Sequence, residues 1–268
     1  MDSRNIPALS AQRISAQLRS SARAIEVRSV AVTGSTNADL LALVEQLAGP
    51  TLLIAAEQTA GRGRAGRSWE SSAATSLTFS LAWRFARPLH DLMGLPLAVG
   101  VALAEALRAL NIQIRLKWPN DLLRDGRKVG GVLLETLSGK TPDIHSWVVI
   151  GVGLNLQLPT DIARAIQQPA AALPELMLLE RELLVAELVS GLADALLQFE
   201  QYGFMWFCER WNSLHAYAEK MVAILEQGRV VQRGRAHGVD ANGCLLLQTA
   251  TGVVPVVAGD VSLRIQVE

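Results

Sequence analysis

The sequence predicts a mixed α+β protein that ends in a small all-β unit, and three observations carry that prediction. Half of the 268 residues are apolar and only 19% are charged, so a large core is available and global disorder is excluded. Strand-like and helix-like periods alternate from Arg28 to Tyr217. After Lys220 the texture changes to short β segments punctuated by Gly228, Asn242-Gly243 and Thr251-Gly252, the pattern of a small separate barrel. The length fits one large domain with an appendage. The expected division is a short extension over 1–27, a main domain over 28–218 and a barrel over 219–268.

Taken in order, residues 1–27 hold four arginines and no strong apolar period, enough for one short helix. Val30 and Val32 mark a strand. Thr36, with Asp39 three residues on, fits a capping box, and Leu40, Leu41, Val44 and Leu47 give helical spacing until Gly49-Pro50 stops it. Leu52–Ala56 reads as a short buried strand. Leu77–Phe85 alternates large apolar residues with Thr78, Ser80, Ala82 and Arg84, the mark of a half-buried strand. Pro96 opens an apolar helix reaching Leu110. Period two returns from Ile112 to Trp118, and Asp125-Gly126 predicts a hairpin turn before the strand Lys128–Leu137. Trp147–Leu158 is apolar enough to be a central strand. Helices are expected over Leu178–Phe199 and Phe204–Tyr217. The last strands are expected at Val222–Leu225, Val230–Arg235, Leu245–Gln248 and Val253–Val257.

Composition excludes several classes. Lys and Arg number 25 against 25 Asp and Glu, so a general binder of nucleic acid or anionic membrane is not expected. Cys208 and Cys244 form no metal-ligand spacing and no disulfide framework, and no apolar run reads as a signal peptide or a bilayer span. The expected setting is a soluble, cytoplasmic one. His90, His145, His215 and His237 are scattered, which argues against a metal-hydroxide hydrolase, and there is no G-x-S-x-G nucleophile elbow. Cys208 lies among Phe204, Trp206, Phe207 and Trp211 and reads as core.

Four segments carry polar chemistry. Gly61-Arg62-Gly63-Arg64-Ala65-Gly66-Arg67-Ser68 satisfies both a dinucleotide fingerprint and a P-loop with Arg for Lys, yet a strand rather than a helix follows, and both motifs fail on context. What remains is three arginines on a glycine-loosened backbone, suited to phosphate or carboxylate, or else a solvated basic loop. Lys117-Trp118-Pro119-Asn120-Asp121 ends a strand where the sheet opens; it reads as a turn or a site. Lys128-Val129-Gly130-Gly131-Val132-Leu133-Leu134-Glu135 puts two glycines inside a strand, and Gly151-Val152-Gly153-Leu154-Asn155 ends another beside two more. A reaction without a protein nucleophile, driven by cations and positioning, suits this set. Attack of a carboxylate on a nucleotide phosphate is one such reaction.

Together with Gly34-Ser35-Thr36-Asn37 and Glu57-Gln58-Thr59-Ala60, and with Trp69 closing the arginine loop, these clusters resemble the biotin protein ligases, in the family's order and from about Arg28 onward. The resemblance implies a mixed sheet with helices packed on one face, of the kind shared by class II aminoacyl-tRNA synthetases and biotin ligases, followed by an SH3-like barrel. It implies activation of biotin by ATP to biotinyl-5′-AMP, with Mg²⁺ accompanying the nucleotide, and transfer to a lysine of a biotin carboxyl carrier protein, as in acetyl-CoA carboxylase. Ser35, Thr36, Asn37 and Gln58 then look like the group that meets biotin's ureido ring. Arg62, Gly63 and Arg64 resemble the loop that closes over the adenylate, with Arg67 assisting at phosphate and Trp69 beside adenine. Lys128 looks like the catalytic lysine at the junction of carboxylate and α-phosphate, and Arg64 shares the catalytic assignment. Lys117, Asn120, Asp121 and Asn155 fall on the nucleotide side, Asp121 being the side chain offered to Mg²⁺.

The family's bifunctional members carry an N-terminal winged helix-turn-helix. Fewer than thirty-five residues precede Ser35, so the expectation is a monofunctional ligase without specific operator DNA binding. A homodimer paired through the sheet, with Leu77–Phe85 as a candidate surface, is left open. Two other readings stand beside the ligase: a lipoate or octanoate transferase of the same broader fold, and a non-catalytic sensor of biotinyl-adenylate.

Overall fold

In the computed structural model, which describes residues 8–137, 145–158, 169–259 and 261–265, the alternating segments assemble around one seven-stranded sheet. Its strands are β1 (Glu26–Thr33), β2 (Thr51–Gln58), β3 (Ser76–Phe85), β4 (Arg115–Lys117), β5 (Asp121–Arg124), β6 (Arg127–Leu137) and β7 (Ser146–Asn155), in the order β1-β2-β3-β7-β6-β5-β4. β1 and β2 are parallel and every other neighbouring pair is antiparallel, so the sheet is mixed. β7 sits at the centre, as its apolar run predicts, although it ends at Asn155. β5 and β6 are joined by the expected turn, with Asp125 at φ 50° and Gly126 at φ 74°.

Four helices cover one face: α1 (Ala11–Gln17), α3 (Leu95–Ala109), α4 (Arg181–Tyr202) and α5 (Met205–Leu214). The large core lies between them and the sheet, where Leu52, Phe79, Leu81, Val148 and Ile150 meet Val101, Leu188 and Phe199. α1 is seated in that core through Ile14, and Arg19 pairs with Glu187 and Asp194 at 3.2 and 3.0 Å. Burying an isoleucine of this kind stabilises by about 2 kcal/mol. The short α2 (Thr36–Leu43) lies on the opposite face, where Leu40 packs on Leu53, Ala82 and Val149.

Two local expectations change. The cap of α2 is Ser35, whose hydroxyl accepts from Ala38 N at 3.5 Å. Thr36 is instead the first helical residue, and Asp39 accepts a bond from the Thr33 hydroxyl. β3 is not half-buried: Ser76 to Trp83 are buried on both faces. Its polar face looks toward α2 rather than solvent. β3 lies between β2 and β7, so it offers no free edge for pairing with another copy; the outer strands are β1 and β4.

A second sheet follows, formed by β8 (Met221–Glu226), β9 (Arg229–Val239), β10 (Leu245–Thr249), β11 (Gly252–Val256) and β12 (Val261–Ile265), in the order β11-β10-β9-β8-β12. All its pairs are antiparallel. Among the described residues β11 and β12 do not pair, so this unit is a five-stranded sheet and not a closed barrel. It is joined to the main sheet by Ala216 N donating to Leu116 O at 2.8 Å and Trp118 Nε1 donating to Gly243 O at 3.1 Å. His215 is buried at this joint against Trp211, neither ring nitrogen having a protein partner. Burial, with Lys220 nearby, pushes its pKa down to about 4, so the imidazole is neutral. Among the described residues no helix is long and apolar enough to cross a membrane.

Candidate active site

A cavity of about 420 Å³ opens where the ends of β2, β6 and β7 meet the start of α2 and the arginine loop. It is lined by Ser35, Thr36, Asn37, Gln58, Arg62, Gly63, Arg64, Arg67, Trp69, Asn120, Asp121, Lys128 and Asn155. Every residue singled out from the sequence is there except Lys117, which stands behind Asp121.

One end is neutral. Thr36 N donates to Gln58 Oε1 at 2.8 Å, and the Thr36 hydroxyl oxygen lies 3.0 Å from the same atom. The Thr36 and Ser80 hydroxyls share a bond of 2.6 Å, and Ser80 Oγ donates to Asn37 Oδ1 at 2.5 Å. The Asn37 amide then donates to Glu135 Oε2 at 2.9 Å. These bonds fix which atoms point inward, because each buried polar group is already committed to one orientation. Space for them comes from β7. A Cβ on Gly151 would lie 2.4 Å from Asn37 Oδ1, and one on Gly153 would lie 2.5 Å from the Trp69 ring. Gly151 and Gly153 are therefore the seats of Asn37 and of the indole.

The other end is charged. Lys128 Nζ meets Asp121 Oδ1 at 2.5 Å, and Lys117 Nζ meets the second oxygen, Oδ2, at 2.9 Å. Burial alone would raise the Asp121 pKa, but the two ammoniums outweigh it and hold the carboxyl at about 2. Lys117 is pushed down by its own burial, against the pull of Asp121. The local fold aims this group. Leu122 pairs with Gly130 and Leu123 with Lys128, so β6 carries one extra residue beside Lys128, a bulge of the kind that re-aims side chains at sites. Lys128 N donates to Pro169 O at 2.9 Å and its carbonyl accepts from Ala171 N at 2.8 Å, which fixes the backbone as well. The ammonium also lies 5.9 Å from the Trp69 ring centre.

The arginine loop folds back on itself, with Gly63 N donating to Arg67 O at 2.7 Å and Trp69 N to Gly61 O at 2.9 Å. Arg62 pairs with Glu135 at 2.7 Å. Arg64 donates to Asn120 Oδ1 at 3.1 Å and to Gly259 O, in the bend between β11 and β12. Asn120 donates to Val132 O at 2.6 Å and Asn155 to Ala171 O at 3.1 Å, so both amides are anchored at the cavity edge.

Sequence reasoning gave no role to Ser80, Glu135 or Arg264. Ser80 was hidden by the half-buried reading of β3, and Arg264 reaches the cavity from β12, a strand the sequence did not announce. Among the described residues no group of three or more His, Cys, Asp or Glu converges as a metal site. Asp121 spends both oxygens on ammoniums and does not fit as a magnesium ligand. Cys208 is no nucleophile: its thiol donates to Val239 O at 3.3 Å and burial pushes its pKa up.

A pocket with a neutral hydrogen-bonding end and a cationic end can hold an acid by its distal polar group while cations gather at its carboxylate and a phosphate. Known proteins resemble this chain in sequence and fold. Residues 29–155 match the model of the Biotin/lipoate A/B protein ligase family, and residues 218–264 that of the Biotin protein ligase C terminal domain. The bifunctional ligase/repressor BirA of Salmonella typhimurium is 36% identical over 97% of this chain and 79% of its own length. The biotin--[acetyl-CoA-carboxylase] ligase of Mycobacterium tuberculosis is 34% identical over 87% of this chain and 86% of its own. Among solved structures, the biotin protein ligase from Aquifex aeolicus in complex with biotin and ATP aligns with a TM-score of 0.75 at 28% identity, over 90% of this chain and 99% of that one.

Proposed function

The chain belongs to the biotin protein ligase family, and from that premise we propose that it activates biotin with ATP and joins it to a lysine of a biotin carboxyl carrier domain. Biotin's carboxylate attacks the α-phosphorus of ATP, pyrophosphate leaves, and biotinyl-5′-AMP remains. The carrier lysine amine then attacks the acyl carbon of that mixed anhydride, an amide forms and AMP departs. The observation that carries this reading is the pairing of a preorganised neutral end with Lys128 at the other.

Ser35, Thr36, Asn37 and Gln58 receive the ureido ring, which offers both donors and an acceptor. Lys128 stabilises the charge that builds on the phosphate oxygens in both steps, where a fixed cation in a water-poor site acts most strongly. Asp121 keeps that ammonium in place, and Lys117 acts through Asp121. Arg62, Gly63 and Arg64 close over the adenylate, Arg67 assists on the phosphate side, and Trp69 gives adenine an apolar face. Asn120 and Asn155 border the nucleotide. Magnesium bound with the nucleotide would offset charge on the phosphate oxygens; Asp121, committed to Lys117 and Lys128, would not be the side chain that holds it. ATP as co-substrate and two free cysteines are in keeping with work in the cytoplasm.

The neutral end also separates this reading from lipoate transfer. A dithiolane ring or an octanoyl tail has no hydrogen-bonding head, so it would gain nothing from the polar groups that Thr36, Asn37 and Ser80 hold in place at this end. Incubation with biotin, ATP, Mg²⁺ and a carrier domain, followed by intact mass measurement of the carrier, tests the proposal. Biotin joined to one carrier lysine is expected. Tight binding of biotin without any transfer would move the assignment to a non-catalytic sensor.

A further inference from the structure

Glu135 is not part of the cavity wall, yet both its oxygens are committed to groups that are. Oε2 accepts from Asn37 at 2.9 Å, and Oε1 pairs with Arg62 at 2.7 Å. Asn37 lies at the start of α2, Arg62 in the glycine–arginine loop and Glu135 on β6, so one carboxylate ties three separately folded segments. The bonds continue behind it. Thr36 N donates to Gln58 Oε1, the Thr36 hydroxyl to Ser80 Oγ, and Ser80 Oγ to Asn37 Oδ1. Gln58 is the last residue of β2 and stands in the stem of the same loop. This polar circuit leaves the loop at its stem, crosses the neutral end and re-enters the loop at its arginine.

We propose that Glu135 is a positioning residue that couples occupancy of the neutral end to closure of the arginine loop. The inference rests on the ligase reading for the identity of the ligand, but the tether itself is a property of the protein alone. An asparagine amide has one donor end and one acceptor end. Here Ser80 takes the acceptor and Glu135 the donor, so the amide keeps one orientation. A ligand head that meets Thr36 and Asn37 favours that same orientation, and through it the carboxylate that holds Arg62. The coupling is reciprocal: a closed loop holds the head pocket in its binding form, and a filled head pocket keeps the loop closed.

Two variants separate the halves of the tether. Glu135→Gln keeps the volume and an amide oxygen for Asn37 but removes the charge that holds Arg62; Glu135→Ala removes both. Trypsin cleaves after arginine, so Arg62, Arg64 and Arg67 report opening of the loop in the full chain without ligand. Loss of one charge-assisted bond predicts cleavage of Glu135→Gln roughly tenfold faster than the parent. With biotin, ATP and Mg²⁺, adenylate escape into solution rises by a similar factor while pyrophosphate formation per enzyme stays within about twofold. Glu135→Ala adds a rise in the biotin concentration needed for half-maximal rate. Parent-like trypsin cleavage and adenylate retention in Glu135→Gln would overturn the proposal. Should Glu135→Ala not fold, the volume-conserving Gln variant carries the test. A parent that makes no pyrophosphate from biotin would remove the ligase reading, and the trypsin arm would still decide whether Glu135 holds the loop.

Discussion

The two ends of the cavity are built from opposite materials. At one, Thr36, Asn37, Gln58 and Ser80 are uncharged and bonded mainly to one another. At the other, Lys117 and Lys128 share the oxygens of Asp121. The neutral end gives direction without a strong field, so it discriminates between ligands and does little to a barrier. The cationic end holds an excess of positive charge that water does not fully screen, so it contributes most when negative charge grows beside it. Recognition and rate are thus assigned to different residues, and substitution can break them apart.

The largest effect is expected at Lys128. Lys128→Ala should lower adenylate formation by about 10²–10³ while the biotin dissociation constant moves only a few-fold, because the lost interaction is strongest in the transition state. Single-turnover pyrophosphate release beside a binding titration measures both; equal losses in the two would erase the contrast. Asp121→Asn comes next. It leaves two ammoniums without their carboxylate and should cost about 3 kcal/mol of stability, a loss of roughly 10 °C in thermal midpoint. A midpoint within about two degrees of the parent would mean the cluster is not held by charge.

Acid titrates the same cluster. The Asp121 pKa is about 2 in the folded chain against 3.8 for an ordinary aspartate, so its contribution is present above pH 3.8 and is lost as the pH falls toward 2. The loss amounts to about 2 kcal/mol, and Asp121→Asn should flatten the stability profile in that window when unfolding is followed in denaturant. The smallest effect is expected at the neutral end. Thr36→Val removes a hydroxyl shared with Gln58 and Ser80 and should weaken biotin binding roughly tenfold, with pyrophosphate formation at saturating biotin changed less than about threefold. A variant that binds normally but turns over slowly would reverse the assignment.

The sequence already made much of this legible, for physical reasons. Long periodic segments such as α3, α4 and β7 announce themselves because one period holds over many residues. β5 was missed because it is only four residues long, Asp121–Arg124, too few to establish a period. β12 was left out although Gly259-Asp260 precedes it, because only five alternating residues follow. β3 misled because Thr78, Ser80 and Ala82 alternate as a solvent face does, whereas they are buried toward α2 and the pocket. The capping residue slipped by one since Ser35 and Thr36 are both good caps, and Gln58 and Ser80 draw the Thr36 side chain away. Side-chain chemistry alone left the arginine loop and the Lys117–Asp121 segment open, and it was the resemblance that assigned a ureido group and a nucleotide side. Glu135 and Arg264 received no role because they enter through contacts between distant segments.

Pyrophosphate release by the parent chain with ATP and Mg²⁺, compared between biotin and lipoate as the acid, tests most directly whether a neutral end selects what a cationic end activates. A burst close to one equivalent per site with biotin, and none with lipoate, is the expected result. Equal bursts with both acids would contradict the selective role of Thr36, Asn37 and Gln58, and no burst with either would contradict the role of Lys128.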